Sequence, residues 1–233
     1  MNLNELTKRL RQLSEKGFIK SQRKGPTGIG HLLESELGLS ETNIAIPDIG
    51  GRVELKATRK DSKSLITLFT FNKGVWRAKQ NEIIKKYGYF DKEGRESLYS
   101  TVTKSKPNQQ GFFYEIDLSK NLLILKNIHY DQNLAEWSVY VVAGKFMTKL
   151  DRILFVLAEA KLIEDEEYFH FNEAYLLENP SVHNFLEAFE KSLIQIDIRM
   201  HIRSSGGVRN HGTGFRIYEK DLISLYSNKR KIL

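Results

Sequence analysis

The stretch Val53-Glu54-Leu55-Lys56-Ala57 constrains this chain more than any other. Apolar and charged residues alternate there with the two-residue period of a strand. Side chains two apart share a face, so Glu54 and Lys56 project together and the carbonyl of Leu55 lies between them. Any fold that keeps this strand must therefore hold a carboxylate and an ammonium side by side.

Upstream residues extend the pattern. Pro47-Asp48 precedes Glu54 by six residues, counted from the aspartate, and Gly25-Pro26-Thr27-Gly28-Ile29-Gly30 leads into a short helix bearing Glu34. Three carboxylates and one lysine in this arrangement can hold a divalent ion against a phosphate and set an ammonium beside an attacking water. Asp48 would be a bridging metal ligand, Glu54 a second, and the Leu55 carbonyl a third oxygen. Lys56 would orient or deprotonate the water and offset phosphate charge. Glu34 would hold a second ion or position Lys56. Alone, a Glu-x-Lys on a strand is an ordinary solvated pair, and Pro-Asp is ordinary turn chemistry. Their joint spacing after a Gly-rich helix start points instead to a metal-dependent nuclease.

Composition narrows the chemistry further. The chain has 233 residues and no cysteine, which excludes disulfides and thiolate metal sites. Oxygen donors favour Mg2+, Ca2+ or Mn2+. A formal net charge of +7 suits a polyanionic partner such as nucleic acid. No apolar run reaches the roughly 20 residues of a membrane helix, and the N-terminal residues lack a signal-peptide pattern. A cytoplasmic protein with no membrane partner is expected.

The periodicity predicts an amphipathic helix over 3–16 ended by Gly17, a basic loop over 21–27, and a helix over 28–37. Strands follow at 53–57 and 65–69, then a helix with a basic face at 78–87. Paired strands are expected at 111–118 and 121–127 and another at 136–142. A buried strand at 153–158 pairs with 168–177 across an acidic turn, Glu164 to Glu167. A helix after Pro180, a strand over 194–202, a flexible Gly-rich basic loop over 204–213, a strand at 214–218 and a final helix at 219–227 complete the reading. Trp137 is expected in the core. These elements make an α/β (α+β) chain, a mixed sheet flanked by helices, in one body or in two lobes around a cleft.

Asp48 with Glu54-Leu55-Lys56 resembles the PD-(D/E)xK nuclease motif, down to Pro47. The longer run resembles the MvaI/BcnI family of type II restriction endonucleases. It is carried by Lys24-Gly25, Thr27 to Gly30, Leu33-Glu34, Pro47-Asp48, Glu54 to Lys56 and Ser64 to Phe69, with weaker echoes such as Ile196 to Arg199 and His211 to Ile217. Gly50-Gly51 lengthens the Asp48–Glu54 spacing by one residue relative to that family. The resemblance implies a restriction-endonuclease-like fold and one endonuclease domain over 1–233, divisible into a catalytic sublobe built around 20–160 and a DNA-recognition sublobe including parts of 70–110 and 195–220. It implies a Mg2+-dependent, sequence-specific double-strand endonuclease with Glu34, Asp48, Glu54 and Lys56 as its catalytic set. Mn2+ would substitute, and Ca2+ would support binding without cleavage. Such an enzyme acts as a monomer on a CC-N-GG-like site, cuts the strands in turn, and belongs with a cognate DNA methyltransferase. MutH, a mismatch-repair nickase, resembles the same N-terminal block. Two alternatives thus stand beside the restriction enzyme: a MutH-like nicking or repair endonuclease, and a non-catalytic DNA-binding module.

A second basic cluster comprises Arg199, His201, Arg203, Arg209, His211 and Arg216. Arginine can bind guanine through two hydrogen bonds and imidazole can reach a groove edge, so these are candidate DNA contacts, with phosphate contact or a solvated face as the plainer reading. Arg23 and Lys24 precede the Glu34 helix. Lys73 and Arg77 flank Trp76, an arrangement suited to nucleic acid, although Trp76 serves packing equally well.

Overall fold

The computed structural model describes residues 3–25, 27–39, 53–60, 64–71 and 75–233. The chain forms two compact units that interleave in sequence. One takes in Met1–Ser64, Met147–Ser181 and Leu222–Leu233; the other takes in Leu65–Phe146 and Val182–Asp221.

The first unit is built on a mixed sheet. Strand Ile19–Lys20 pairs antiparallel with Glu166–Pro180, which pairs antiparallel with Arg152–Ile163, which pairs in parallel with Glu54–Arg59 at the sheet's end. Strand Tyr226–Lys231 adds to Glu166–Pro180. Two helices cover one face. Leu6, Leu10 and Leu13 of helix Leu3–Glu15 fall on one stripe, as do Ile29, Leu32 and Leu33 of helix Gly28–Glu36. Both stripes bury against Val53, Leu55, Val156, Ala158, Phe169 and Phe171. Each buried leucine contributes about 1.5–3 kcal/mol from the apolar area it removes from water.

The second unit holds a six-stranded sheet and a three-stranded meander. In the former, Leu65–Phe71, Thr213–Tyr218, Ile194–Ile202, Glu96–Val102 and Tyr89–Phe90 lie in that order, and Val208–Asn210 pairs with Ile194–Ile202. Ile194, Ile196, Ile198 and Met200 of the central strand are buried, as are Phe69, Phe215 and Ile217 beside it. The Phe215 ring meets Trp137 edge-on, with 6.1 Å between centroids, and Trp137 is core as expected. Strands Phe112–Asp117, Leu122–Asn127 and Tyr130–Ser138 form the meander.

Three sequence expectations need correction. The stretch 136–142 is not one strand: Tyr130–Ser138 is extended and Val139–Lys149 is a helix. The β-branched run Val139, Val141, Val142 favours a strand locally, but Val139, Val142, Ala143 and Phe146 bury at helical spacing, and tertiary packing wins. The final helix stops at Leu222, followed by a 3-10 turn at Ile223–Leu225 and strand Tyr226–Lys231. That polar, lysine-rich strand is stabilised by pairing along Glu166–Pro180, which no local pattern announces. The segment 204–213 is a hairpin rather than a flexible loop: Met200, His201 and Ile202 face Asn210, Arg209 and Val208. Its turn closes through Arg203 and Gly206–Gly207, with Gly206 at φ +85°.

Leu33→Ala removes a fully buried side chain from the helix that carries Glu34. It is expected to lower unfolding free energy by about 2–5 kcal/mol, read as a lower midpoint with unchanged slope in urea denaturation.

Candidate active site

Strand Glu54–Arg59 divides its side chains between two environments. Val53 and Leu55 enter the core beneath the two helices. Glu54, Lys56 and Thr58 occupy the other face, in register with Ile153, Phe155 and Leu157 of the parallel neighbour. Glu54 is only 5% exposed. A carboxylate that deep costs several kcal/mol unless it is paired. Its Oε1 accepts a hydrogen bond from Lys56 Nζ at 2.7 Å, and Lys149 Nζ lies 3.9 Å from the same oxygen. The sequence pair Glu54–Lys56 is therefore a real contact in a sheltered place, not a solvated cross-pair.

Tyr226 closes in beside this pair. It is buried, and its hydroxyl donates to the Leu150 carbonyl at 2.8 Å. Burial first, then the negative charges of Glu54 and Asp151, hold the phenol protonated far above its ordinary range. It is a fixed donor that anchors the chain next to Lys149.

Glu34 sits half-buried between Leu33 and Ser35 on helix Gly28–Glu36, which packs on the Glu54 strand. The Gly-rich lead-in sets where that helix begins. A Cβ on Gly28 would lie 2.2 Å from the Arg23 carbonyl oxygen and 2.9 Å from Ser21 Oγ, so only glycine lets the chain fold back there. Asp48, with Pro47 and Gly50-Gly51, lies outside the described residues, as does Lys73. Among the described residues no three carboxylate or imidazole side chains gather closely enough to hold an ion. The donors the chain does offer here are oxygens, which suit a hard divalent cation.

The second unit presents a polar sheet face. On strand Ile194–Ile202 the polar residues that alternate with the apolar core are Gln195, Asp197, Arg199 and His201; Gln195, Asp197 and His201 are themselves buried and Arg199 is half-buried. Asp197 accepts from Arg216 Nη1 at 2.8 Å and from Thr101 Oγ1 at 2.8 Å; Arg216 Nη2 also donates to the Leu65 carbonyl. Arg199 donates to Thr70 Oγ1 at 2.9 Å and to the Gly212 carbonyl at 3.3 Å. Arg216 and Arg199 are thus committed to the protein's own framework. Arg203, Arg209 and His211 are exposed. His201 is buried, and its Nδ1 lies 3.2 Å from His211 Nε2, so one ring donates and the other accepts. Burial, and then neighbouring groups led by Arg95 for His201 and by His201 for His211, depress both imidazoles below their ordinary value. Arg77 bonds Glu136 at 2.9 Å and remains largely exposed. Lys24, exposed, lies 3.9 Å from Glu166, and with Arg23 it lines an open cavity of about 480 Å³ faced by Glu166 and Glu167.

Sequence reasoning missed Lys149, and also Arg95 and Tyr99 around the histidine pair. Tyr99 lies opposite Arg199, with its ring 6.3 Å from that of His211, and Arg95 with Ser97 binds Asp91. The alternation of Leu98, Ser100 and Val102 was the available signal for strand Glu96–Val102, which carries Tyr99; Arg95 precedes it.

The model of the MvaI/BcnI restriction endonuclease family matches residues 7–226. The chain belongs to the MvaI/BcnI restriction endonuclease family. It is similar to a solved structure of restriction endonuclease MvaI in complex with cognate DNA substrate, at 27% identity, with all of both chains covered and a TM-score of 0.81. It is also similar to MvaI in the absence of DNA, at 27% identity, with 100% of this chain and 99% of that chain covered and a TM-score of 0.59. A comparison with curated proteins finds no match. Family and fold together make this chain a type II site-specific deoxyribonuclease of mixed α+β architecture. Among the described residues, no helix is long and apolar enough to cross a membrane.

The depressed imidazoles fix the sign of a pH effect. The unfolded chain takes up protons near the ordinary value of 6.5, while the folded pair resists them. Stability is thus full above about pH 6.5 and falls as pH drops through the lower folded values. Tm is expected to decline between pH 7 and 5, and His201→Asn with His211→Asn should flatten that slope. An unchanged slope would show that the pair does not carry it.

Proposed function

We propose that this chain cuts both strands of duplex DNA in turn, as a monomer, at a short pseudo-symmetric CC-N-GG-like site, with Mg2+ as its cofactor. The observation that carries the reading is the sheltered Glu54–Lys56 pair on an end strand of the first unit, at the position the family resemblance marks as catalytic. The solved relative bound to cognate DNA supports duplex DNA as the partner. The basic net charge is in keeping with a phosphate backbone.

Glu54, Asp48 and the Leu55 carbonyl would hold the ion, with Glu34 as an additional donor from the neighbouring helix. When bound, Mg2+ supplies charge neutralisation at the phosphate and a more acidic water. Lys56 and Lys149 both approach Glu54 at Oε1 and would balance its charge as a ligand of the ion. Lys56 carries its ammonium next to that carboxylate, where it can orient the attacking water and offset charge on phosphorus. Thr58 and Phe155 on the same face limit water around the pair. Arg203, Arg209 and His211 are the exposed groups of the second unit best suited to meet bases or phosphates, with Lys24 and Arg77 as phosphate contacts. Arg199, His201 and Arg216 act by holding that sheet face in shape. Such an enzyme works on cytoplasmic DNA, and the host genome needs protection by a cognate methyltransferase.

Supercoiled plasmid incubated with the protein tests this directly. Discrete fragments in Mg2+ or Mn2+, and retarded but intact DNA in Ca2+, are expected. Relaxed circles alone would identify a nickase, and intact DNA under every metal would identify a binding module. Lys56→Ala is expected to reduce cutting by about a hundredfold or more while leaving DNA affinity in Ca2+ within a fewfold of wild type.

A further inference from the structure

We propose that Lys149 is a positioning residue of the active site, a second cation that takes over the Glu54 carboxylate when Lys56 turns to the water and phosphate. The inference rests on the nuclease reading above and extends it to a residue outside the Asp48, Glu54, Lys56 pattern.

Three observations place Lys149 there. The parallel register sets Glu54 opposite Ile153, four residues after Lys149, so the chain entering strand Arg152–Ile163 passes the Glu54 end of its neighbour. Lys149 closes helix Val139–Lys149, where a cation also suits the negative end of the helix dipole. The buried Tyr226 hydroxyl pins the next residue by its hydrogen bond to the Leu150 carbonyl, which fixes the backbone from which Lys149 reaches out.

The two lysines differ in a way that assigns their roles. Lys56 makes a direct hydrogen bond to Oε1 at 2.7 Å, whereas Lys149 stands off at 3.9 Å, with a third of its side chain exposed. While Lys56 is held by Oε1 it cannot give its full set of donors to a water or a phosphate. If it leaves with no replacement, a carboxylate that is 5% exposed loses its partner, which is costly. Lys149 removes that conflict. A small rotation of its side chain brings the ammonium onto Oε1, keeps Glu54 ionised and aimed, and frees Lys56. No proton moves and no covalent bond changes; the Glu54 carboxylate exchanges its hydrogen bond from Lys56 for one from Lys149.

Lys149→Met and Lys149→Arg, compared with wild type, test the assignment. Three quantities are measured: single-turnover cutting of a cognate duplex at saturating Mg2+, duplex affinity in Ca2+, and Ca2+ affinity of the DNA complex by calorimetry. Lys149→Met is expected to cut about ten- to a hundredfold more slowly, with duplex affinity within threefold of wild type. It should bind Ca2+ at least as tightly as wild type, because a repelling charge has been removed from beside Glu54. Lys149→Arg, which keeps a cation, should recover most of the rate. Wild-type rates in Lys149→Met overturn the proposal. So does a parallel loss of Ca2+ affinity, duplex affinity and Tm that arginine does not rescue, since that marks a mere prop of the fold. Wild-type protein that cuts no duplex at all would instead defeat the nuclease reading on which the proposal stands.

Discussion

The contact between Glu54 and Lys56 is the constraint on which the rest of the first unit depends. A carboxylate buried beside an end strand is tolerable only with a cation against it, and the 2.7 Å bond from Lys56 meets that need two residues along the same strand. The alternation that brings the two charges together also drives Val53 and Leu55 into the opposite face. The two amphipathic helices cover those apolar side chains, and one of the helices carries Glu34. The buried apolar residues and the Glu54–Lys56 pair are thus two sides of one short segment of chain. A change that weakens either side disturbs the other.

The second unit solves a different problem with the same device. Strand Ile194–Ile202 buries Ile194, Ile196, Ile198 and Met200 on one face and carries Gln195, Asp197, Arg199 and His201 on the other, where only Arg199 is more than slightly exposed. That polar face is not a loose array of cations. Asp197 gathers Arg216 and Thr101, Arg199 is tied to Thr70 and Gly212, and the two histidines hold each other. Fixed groups of this kind lose little freedom when a ligand arrives. The framework leaves Arg203, Arg209 and His211 at the surface, carried by a hairpin that is itself hydrogen-bonded to the sheet.

Much of this was legible from residues alone where a local period matched the final environment. The helices at Leu3–Glu15 and Gly28–Glu36, the strand Ile194–Ile202 and the Glu54–Lys56 face all follow from spacing that burial then rewards. Failures fell where distant pairing decided. Val139 to Val142 carry strand-forming side chains but join a helix because Phe146 completes a buried stripe. Tyr226 and Ser227 read as the end of the final helix, and Tyr226–Lys231 becomes a strand only through pairing with Glu166–Pro180. Arg216 and Arg199 read as candidate DNA contacts, whereas Asp197 and Thr70, 19 and 129 residues away in sequence, engage them within the fold. Lys149 was invisible for the same reason: its approach to Glu54 depends on the parallel register with Arg152–Ile163, not on any motif.

Glu54 and Lys56 are proposed as the centre that cuts DNA. A crystal structure of the chain with a cognate duplex and Ca2+ tests it most directly. An ion within about 2.3–2.6 Å of a Glu54 carboxylate oxygen, with the Lys56 ammonium turned toward the phosphate bound there, is the expected result. A duplex whose phosphates and ions lie away from both side chains, with Lys56 still locked on Glu54, would contradict it.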